Sequence, residues 1–165
     1  MALGRLPLRT ILCTLFLATP CLAAAQASPA IVVGGGLSVL TDETSRGTGG
    51  AADIAWRVGQ IASTSIGIVG DVSVNRFEGV TISSYLGGAR FWWNGVRYVR
   101  PYAQVLIGVE SCCDELAQAF QVGGGADVPI PGPLAVRVAY EYRRAAYDQA
   151  VFNERRFVIG IAFPK

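Results

Sequence analysis

Two groups of residues in this 165-residue chain carry the means for chemistry. Cys112 and Cys113 are adjacent and run straight into Asp114 and Glu115. Thiols and carboxylates can ligate a metal, but a good site spaces its ligands or adds histidine, and the chain has no histidine. No metal and no cofactor are therefore expected. A strained vicinal disulfide that tightens a loop, or a bond to another molecule, is the expected thiol chemistry, although adjacent cysteines fit the usual disulfide geometry poorly. The second group is Asp53, Arg57, Asp71, Arg90, Glu110, Asp127, Arg137, Glu141, Arg143 and Arg156. These are five acids and five arginines, so they can neutralise one another. Enclosed charges must pair, because an unpaired buried charge costs several kcal/mol. A structural ion-pair lattice is the plain reading, and a proton or ion pathway is the other. Lack of histidine also removes the usual general base, so no catalytic residues are assigned and an enzyme is not expected.

The elements that must hold these residues are strands. From about Ala30 to Phe163 apolar and polar residues alternate with a period of two. Ile66, Ile68, Val72 and Val74 interleave with Gly67, Asp71, Ser73 and Asn75; Ala103, Val105, Ile107 and Val109 do so with Gln104, Gly108 and Glu110. Successive strand side chains point to opposite faces, so each segment has one greasy and one polar face. Breaks in the pattern predict eight strands, near 30–42, 48–59, 64–77, 81–94, 98–111, 116–129, 134–144 and 153–163. An even number lets an up-and-down meander close with no edge unpaired. Asn94 and Gly95 suit a tight hairpin, and the Pro129–Pro133 run cannot continue a ladder. The glycine triplets 34–36 and 123–125 resemble phosphate cradles, but no helix pattern follows to receive an anion.

Residues 1–27 read as a secretory leader: Arg5 and Arg9, an apolar run from Ile11 to Ala18, then Ala25, Gln26 and Ala27 as a cleavage site. Cys21 follows Pro20, which argues against lipidation, and Cys13 leaves with the leader as well. Residues 28–165 form one domain in which 12 basic residues meet 12 acidic ones. That neutral balance offers no footprint for nucleic acid.

Residue size and position indicate which face is outside. The polar face carries Gly34, Gly36, Ser38, Gly67, Gly88, Gly108, Gly123, Gly125 and Gly160, small enough for the cramped inside of an eight-stranded barrel. On the apolar face Trp56, Trp93 and Phe163 cluster at one end, and Tyr85, Phe120, Tyr142 and Phe157 at the other. Two aromatic girdles belong where a barrel meets two headgroup layers. The expected architecture is an all-β, eight-stranded antiparallel transmembrane barrel in a bacterial outer membrane. A soluble periplasmic barrel with its greasy face lining a ligand cavity is the competing arrangement.

Several stretches carry a resemblance: Tyr85 to Trp93 (YLGGARFWW), Arg100 to Gly108 (RPYAQVLIG), Phe120 to Val128 (FQVGGGADV), Val136 to Arg143 (VRVAYEYR) and Phe157 to Phe163 (FVIGIAF). In this order they resemble the small outer-membrane barrels of Gram-negative bacteria, of the opacity-protein and outer-membrane-protein-A transmembrane-domain type. The resemblance implies a monomer in outer-membrane lipid with a structural or surface-interaction role, or a narrow pore for ions or small solutes. The last strand looks like the C-terminal signal read by the barrel-assembly machinery, except that Pro164 and Lys165 follow its final aromatic residue.

Overall fold

The computed structural model describes residues 31–164, apart from 43, 78, 97 and 149 and the side chain at 164. The expected leader lies outside the described residues. Eight strands follow one another: β1 (Ile31–Thr41), β2 (Arg46–Ile61), β3 (Thr64–Phe77), β4 (Val80–Trp93), β5 (Arg100–Cys112), β6 (Glu115–Pro129), β7 (Ala135–Ala146) and β8 (Val151–Pro164). Each pairs antiparallel with its neighbour, and β8 returns to β1 to close the barrel. Every strand meets or exceeds the roughly 9 to 11 residues that a tilted strand needs to cross a bilayer. The expected boundaries fall within two residues of the observed ones, because side-chain alternation and ladder pairing end for the same reason at turn residues.

Two connections differ from expectation. Asn94 and Gly95 open a six-residue link to β5, and the Asn94 amide donates to the Ser63 carbonyl of the neighbouring turn. Ala62–Ser63 and Cys113–Asp114, by contrast, each join their strands in a two-residue turn. Cys113 and Asp114 both take positive φ, 55° and 66°, the left-handed pair that matches the twist of flanking strands in a type I′ hairpin. Cys112 and Glu115, outside the strands expected near 98–111 and 116–129, thus extend β5 and β6 by one residue each.

The apolar face points outward. Leu106 is fully buried inside, while its neighbour Ile107 is 67% exposed on the outer wall. Trp56, Trp93, Tyr85, Phe120, Tyr142, Phe157 and Phe163 are all exposed there too. This orientation is the reverse of a barrel lined by its greasy face. The inner face is less uniformly polar than its pattern suggests, since Val32, Leu40, Val69, Leu86 and Val158 are also buried in it. Small barrels fill their interior with side chains, and here large faces small. Leu86 lies opposite Gly108, and Gly88 opposite Leu106. A Cβ on Gly88 would meet the Val105 carbonyl oxygen at 2.0 Å, so that position admits only glycine.

Candidate functional site

The inward positions of seven strands bring the charged residues together in the lumen. At its centre Asp53 of β2 accepts from Arg90 of β4 at 2.6 Å and from Arg137 of β7. Arg137 also grips Asp127 of β6 through two parallel bonds, of 2.6 and 2.8 Å. Arg90 Nε donates to Gln104 at 2.7 Å, and the Gln104 amide donates to Glu141 at 2.6 Å. Glu141 accepts from Arg156 of β8, which crosses the lumen to hold both oxygens of Asp71 on β3 at 2.9 and 2.7 Å. One unbroken chain, Asp127 to Arg137 to Asp53 to Arg90 to Gln104 to Glu141 to Arg156 to Asp71, therefore ties every strand but β1. Two-pronged guanidinium–carboxylate bonds are the strong kind, and their geometry fixes both partners. The first strand contributes space instead. A Cβ on Gly34 would sit 2.2 Å from Arg137 Nη1 and 2.6 Å from Asp53 Oδ1.

A second tier lies nearer the loop end, opposite the Ala62–Ser63 turn. Arg143 donates to Gln121 at 2.9 Å, to Glu110 at 2.8 Å and to Ser73 at 3.3 Å, while Ser73 and Ser84 share a hydrogen bond at 2.7 Å. The Tyr147 hydroxyl donates to the other Glu110 oxygen at 3.1 Å. Glu154 of β8 stands 4.0 Å from Arg143 Nη1, and its Oε2 has no hydrogen-bond partner although the residue is buried. Above this tier opens a vestibule of about 780 Å³, whose walls include Phe77, Ile82, Tyr147 and Glu154.

Nine of the ten charged residues named from sequence enter these ion pairs. Arg57 does not. It lies half-buried with its guanidinium 5.1 Å from the centre of the Trp92 ring, and its Nε has no hydrogen-bond partner. Sequence reasoning missed Glu154, which lies two residues before Arg156 on the same inward parity and could have been found by extending it. It also missed Trp92, the inward member of the run Phe91–Trp93, and Tyr102, its register partner on β5. Tyr102 packs between Arg90 and Arg137, 4.5 and 5.1 Å from the two guanidinium carbons. A ring face attracts a cation, and burial strengthens the attraction.

The Cys112 and Cys113 sulfurs lie 2.9 Å apart as thiols at the rim of the vestibule, beyond the outer girdle. Burial, the neighbouring Cys113 thiol and the carboxylates of Glu110 and Glu154 push the Cys112 thiol up to about 12. It stays protonated at neutral pH, and a thiol is a much weaker nucleophile than a thiolate.

No protein-family model and no curated protein sequence matches the chain. Solved structures do. Neisserial surface protein A superposes with a TM-score of 0.63 at 10% identity, over 82% of this chain and 96% of that one. Ail, the attachment invasion locus protein of Yersinia pestis, gives 0.54 at 14% identity, over 83% and 97%. The outer membrane enzyme PagL gives 0.53 at 13% identity, over 84% and 100%. Closure of eight antiparallel strands, an apolar outer wall and these superpositions give the chain the fold of the small eight-stranded outer-membrane barrels.

Proposed function

We propose that this chain sits in the bacterial outer membrane as a monomer with a structural or surface-interaction role, its lumen plugged by the ion-pair lattice. The observation that carries the reading is the lattice running from wall to wall. The space enclosed among Asp53, Asp71, Arg90, Arg137, Glu141 and Arg156 is about 10 Å³, close to the least that holds one water. A conducting path needs a file of waters, and this lattice interrupts it. Lumenal charges that bind one another this fully are also unavailable for general acid or base work. That supports a non-enzymatic role within a fold that also hosts an enzyme. Outward Phe157, Ile159, Ile161 and Phe163 on β8 suit delivery by the barrel-assembly machinery.

Single-channel recording of the refolded chain in planar bilayers tests the plug. We expect a silent bilayer. Steady, salt-proportional conductance steps would overturn the reading in favour of a narrow pore.

A further inference from the structure

The outer wall carries a charge asymmetry that the lumen does not use. Among the described strand residues on the outward parity, the charged ones are Arg46, Arg76, Arg144 and Arg155, all exposed and all at the loop end. None is acidic. Strand register lines them up: Arg155 lies opposite Thr41 and Thr41 opposite Arg46, while Arg76 faces Thr48 and Arg144 faces Asn153. The result is a belt across β7, β8, β1, β2 and β3, level with girdle residue Tyr142, which is the register partner of Arg155. Arg46, at the end of the belt's β2 segment, also borders the vestibule. No described carboxylate pairs with any of the four. Asp42, in the adjoining loop, spends its oxygens on the amides and hydroxyls of Thr44 and Ser45. At the turn end the corresponding outward residues are Trp56, Trp93, Val136 and Phe163.

Below the belt the same half of the wall has a hollow of about 560 Å³ around Ala52 and Gly70, walled by Val33, Ile54, Val72 and Tyr85. Packing within the chain does not demand glycine here. A Cβ on Gly70 would find only Ile54 Cγ2 at 3.9 Å, and one on the adjacent Gly87 only the Val69 oxygen at 3.8 Å. Ala52 is six residues from Arg46 and Gly70 six from Arg76, about 20 Å along a strand, comparable to the reach of an acyl chain.

Resting on the membrane reading above, we propose that this half of the wall holds a phosphate-bearing lipid of the loop-side leaflet, its phosphate on the arginine belt and an acyl chain in the hollow. Guanidinium forks match phosphate oxygens two at a time and keep their charge at any physiological pH. One basic residue near an anionic surface is worth about a fivefold factor in association.

Spin-labelled lipids test this in dimyristoylphosphatidylcholine bilayers that contain the refolded chain. The fraction of label immobilised at the barrel gives the association constant of phosphatidic acid relative to phosphatidylcholine. We expect a preference of about fivefold or more that shrinks with salt. It should fall to near unity in the variant with Arg46→Gln, Arg76→Gln, Arg144→Gln and Arg155→Gln, and recover in part with lysine at the four positions. Filling the hollow with Ala52→Leu and Gly70→Val should lower the preference while leaving the belt intact. An unchanged preference in the glutamine variant, or displacement of the labelled lipid by free inorganic phosphate at equal concentration, would overturn the proposal. No immobilised component for either lipid would mean that the chain is not in the bilayer, and it is the membrane reading that would then fail.

Discussion

Arg143 and Arg144 are sequence neighbours, as are Arg155 and Arg156, and within each pair the two guanidiniums live in opposite worlds. Arg143 and Arg156 are fully buried and committed to carboxylates across the lumen, whereas Arg144 and Arg155 are exposed on the outer wall. Gly35 and Gly36, or Leu106 and Ile107, divide in the same way. Residue type therefore says little about role in this chain, and parity says nearly everything. A strand turns each successive side chain through half a circle, so a shift of one position exchanges lumen for membrane.

The sharpest way to break this comparison is to remove one member of a pair at a time. Arg156→Ala strands Asp71 and Glu141, both of them buried, and loss of one partner of a buried pair costs about 3 to 5 kcal/mol. Arg155→Ala removes an exposed guanidinium and should stay within about 0.5 kcal/mol of the wild type. Urea unfolding in bilayers or detergent, followed by heat-modifiable gel migration, compares the two. Equal midpoints would mean that lumen water screens the lattice, which would favour a wet pore.

A second test moves charge onto the apolar side of the wall. Ile107→Arg puts a guanidinium at an exposed position flanked by Val105 and Val109. Near the bilayer midplane that costs about 2 to 4 kcal/mol. Ile107→Val should insert and fold like the parent. Equal folding yields for Ile107→Arg and Ile107→Val in lipid vesicles would contradict the outward orientation of this face toward lipid.

Parity explains both what the sequence made legible and what it hid. All eight strands could be read, and so could the inward side of nearly every charged residue, because period-two alternation is a direct record of which face each position takes. Leu106 was hidden because a greasy residue on the inner face breaks the binary pattern, and only its register partner Gly88 makes room for it. Trp92 was hidden within Phe91–Trp92–Trp93, where three aromatic residues erase the alternation. The partner of each charge lay beyond reach as well. Arg156 finds Asp71 across the barrel, 85 residues away, through closure that no local pattern encodes. The outer arginines were readable as charges but not as a belt, since the belt exists only once register aligns five strands.

Adjacent glycines sharpen the comparison on a smaller scale. A methyl on Gly36 would meet the Ile159 carbonyl oxygen at 2.2 Å and Gly160 Cα at 2.5 Å, and this backbone cannot yield without opening the β1–β8 seam. On Gly35 the nearest atom would be the Ala51 oxygen at an ordinary 3.4 Å. Overpacking costs typically about 1 to 3 kcal/mol. Gly36→Ala should therefore lower the urea midpoint clearly and Gly35→Ala barely, with equal shifts counting against the assigned faces.

The smallest effect should come from the most conspicuous residues in the sequence. Cys112 ends β5 and Cys113 opens the two-residue turn that follows, both outside the lattice and the outer girdle. A link between neighbours closes almost no chain, so whether or not they form a disulfide the stability of the barrel should hardly change. Joint Cys112→Ser and Cys113→Ser replacement should fold and insert like the parent. Reactivity is the sensitive readout. With its proton held up to about 12, Cys112 in the reduced protein should react with iodoacetamide at pH 8.5 at least about tenfold more slowly than an unperturbed cysteine, half of which is thiolate at that pH. The rate should climb only as pH approaches 12. Reaction at the ordinary rate at pH 8.5 would mean that Glu110, Glu154 and the Cys113 thiol do not crowd that sulfur. Disulfide-linked dimers that collapse on reduction would show that the pair bonds outward to a second chain.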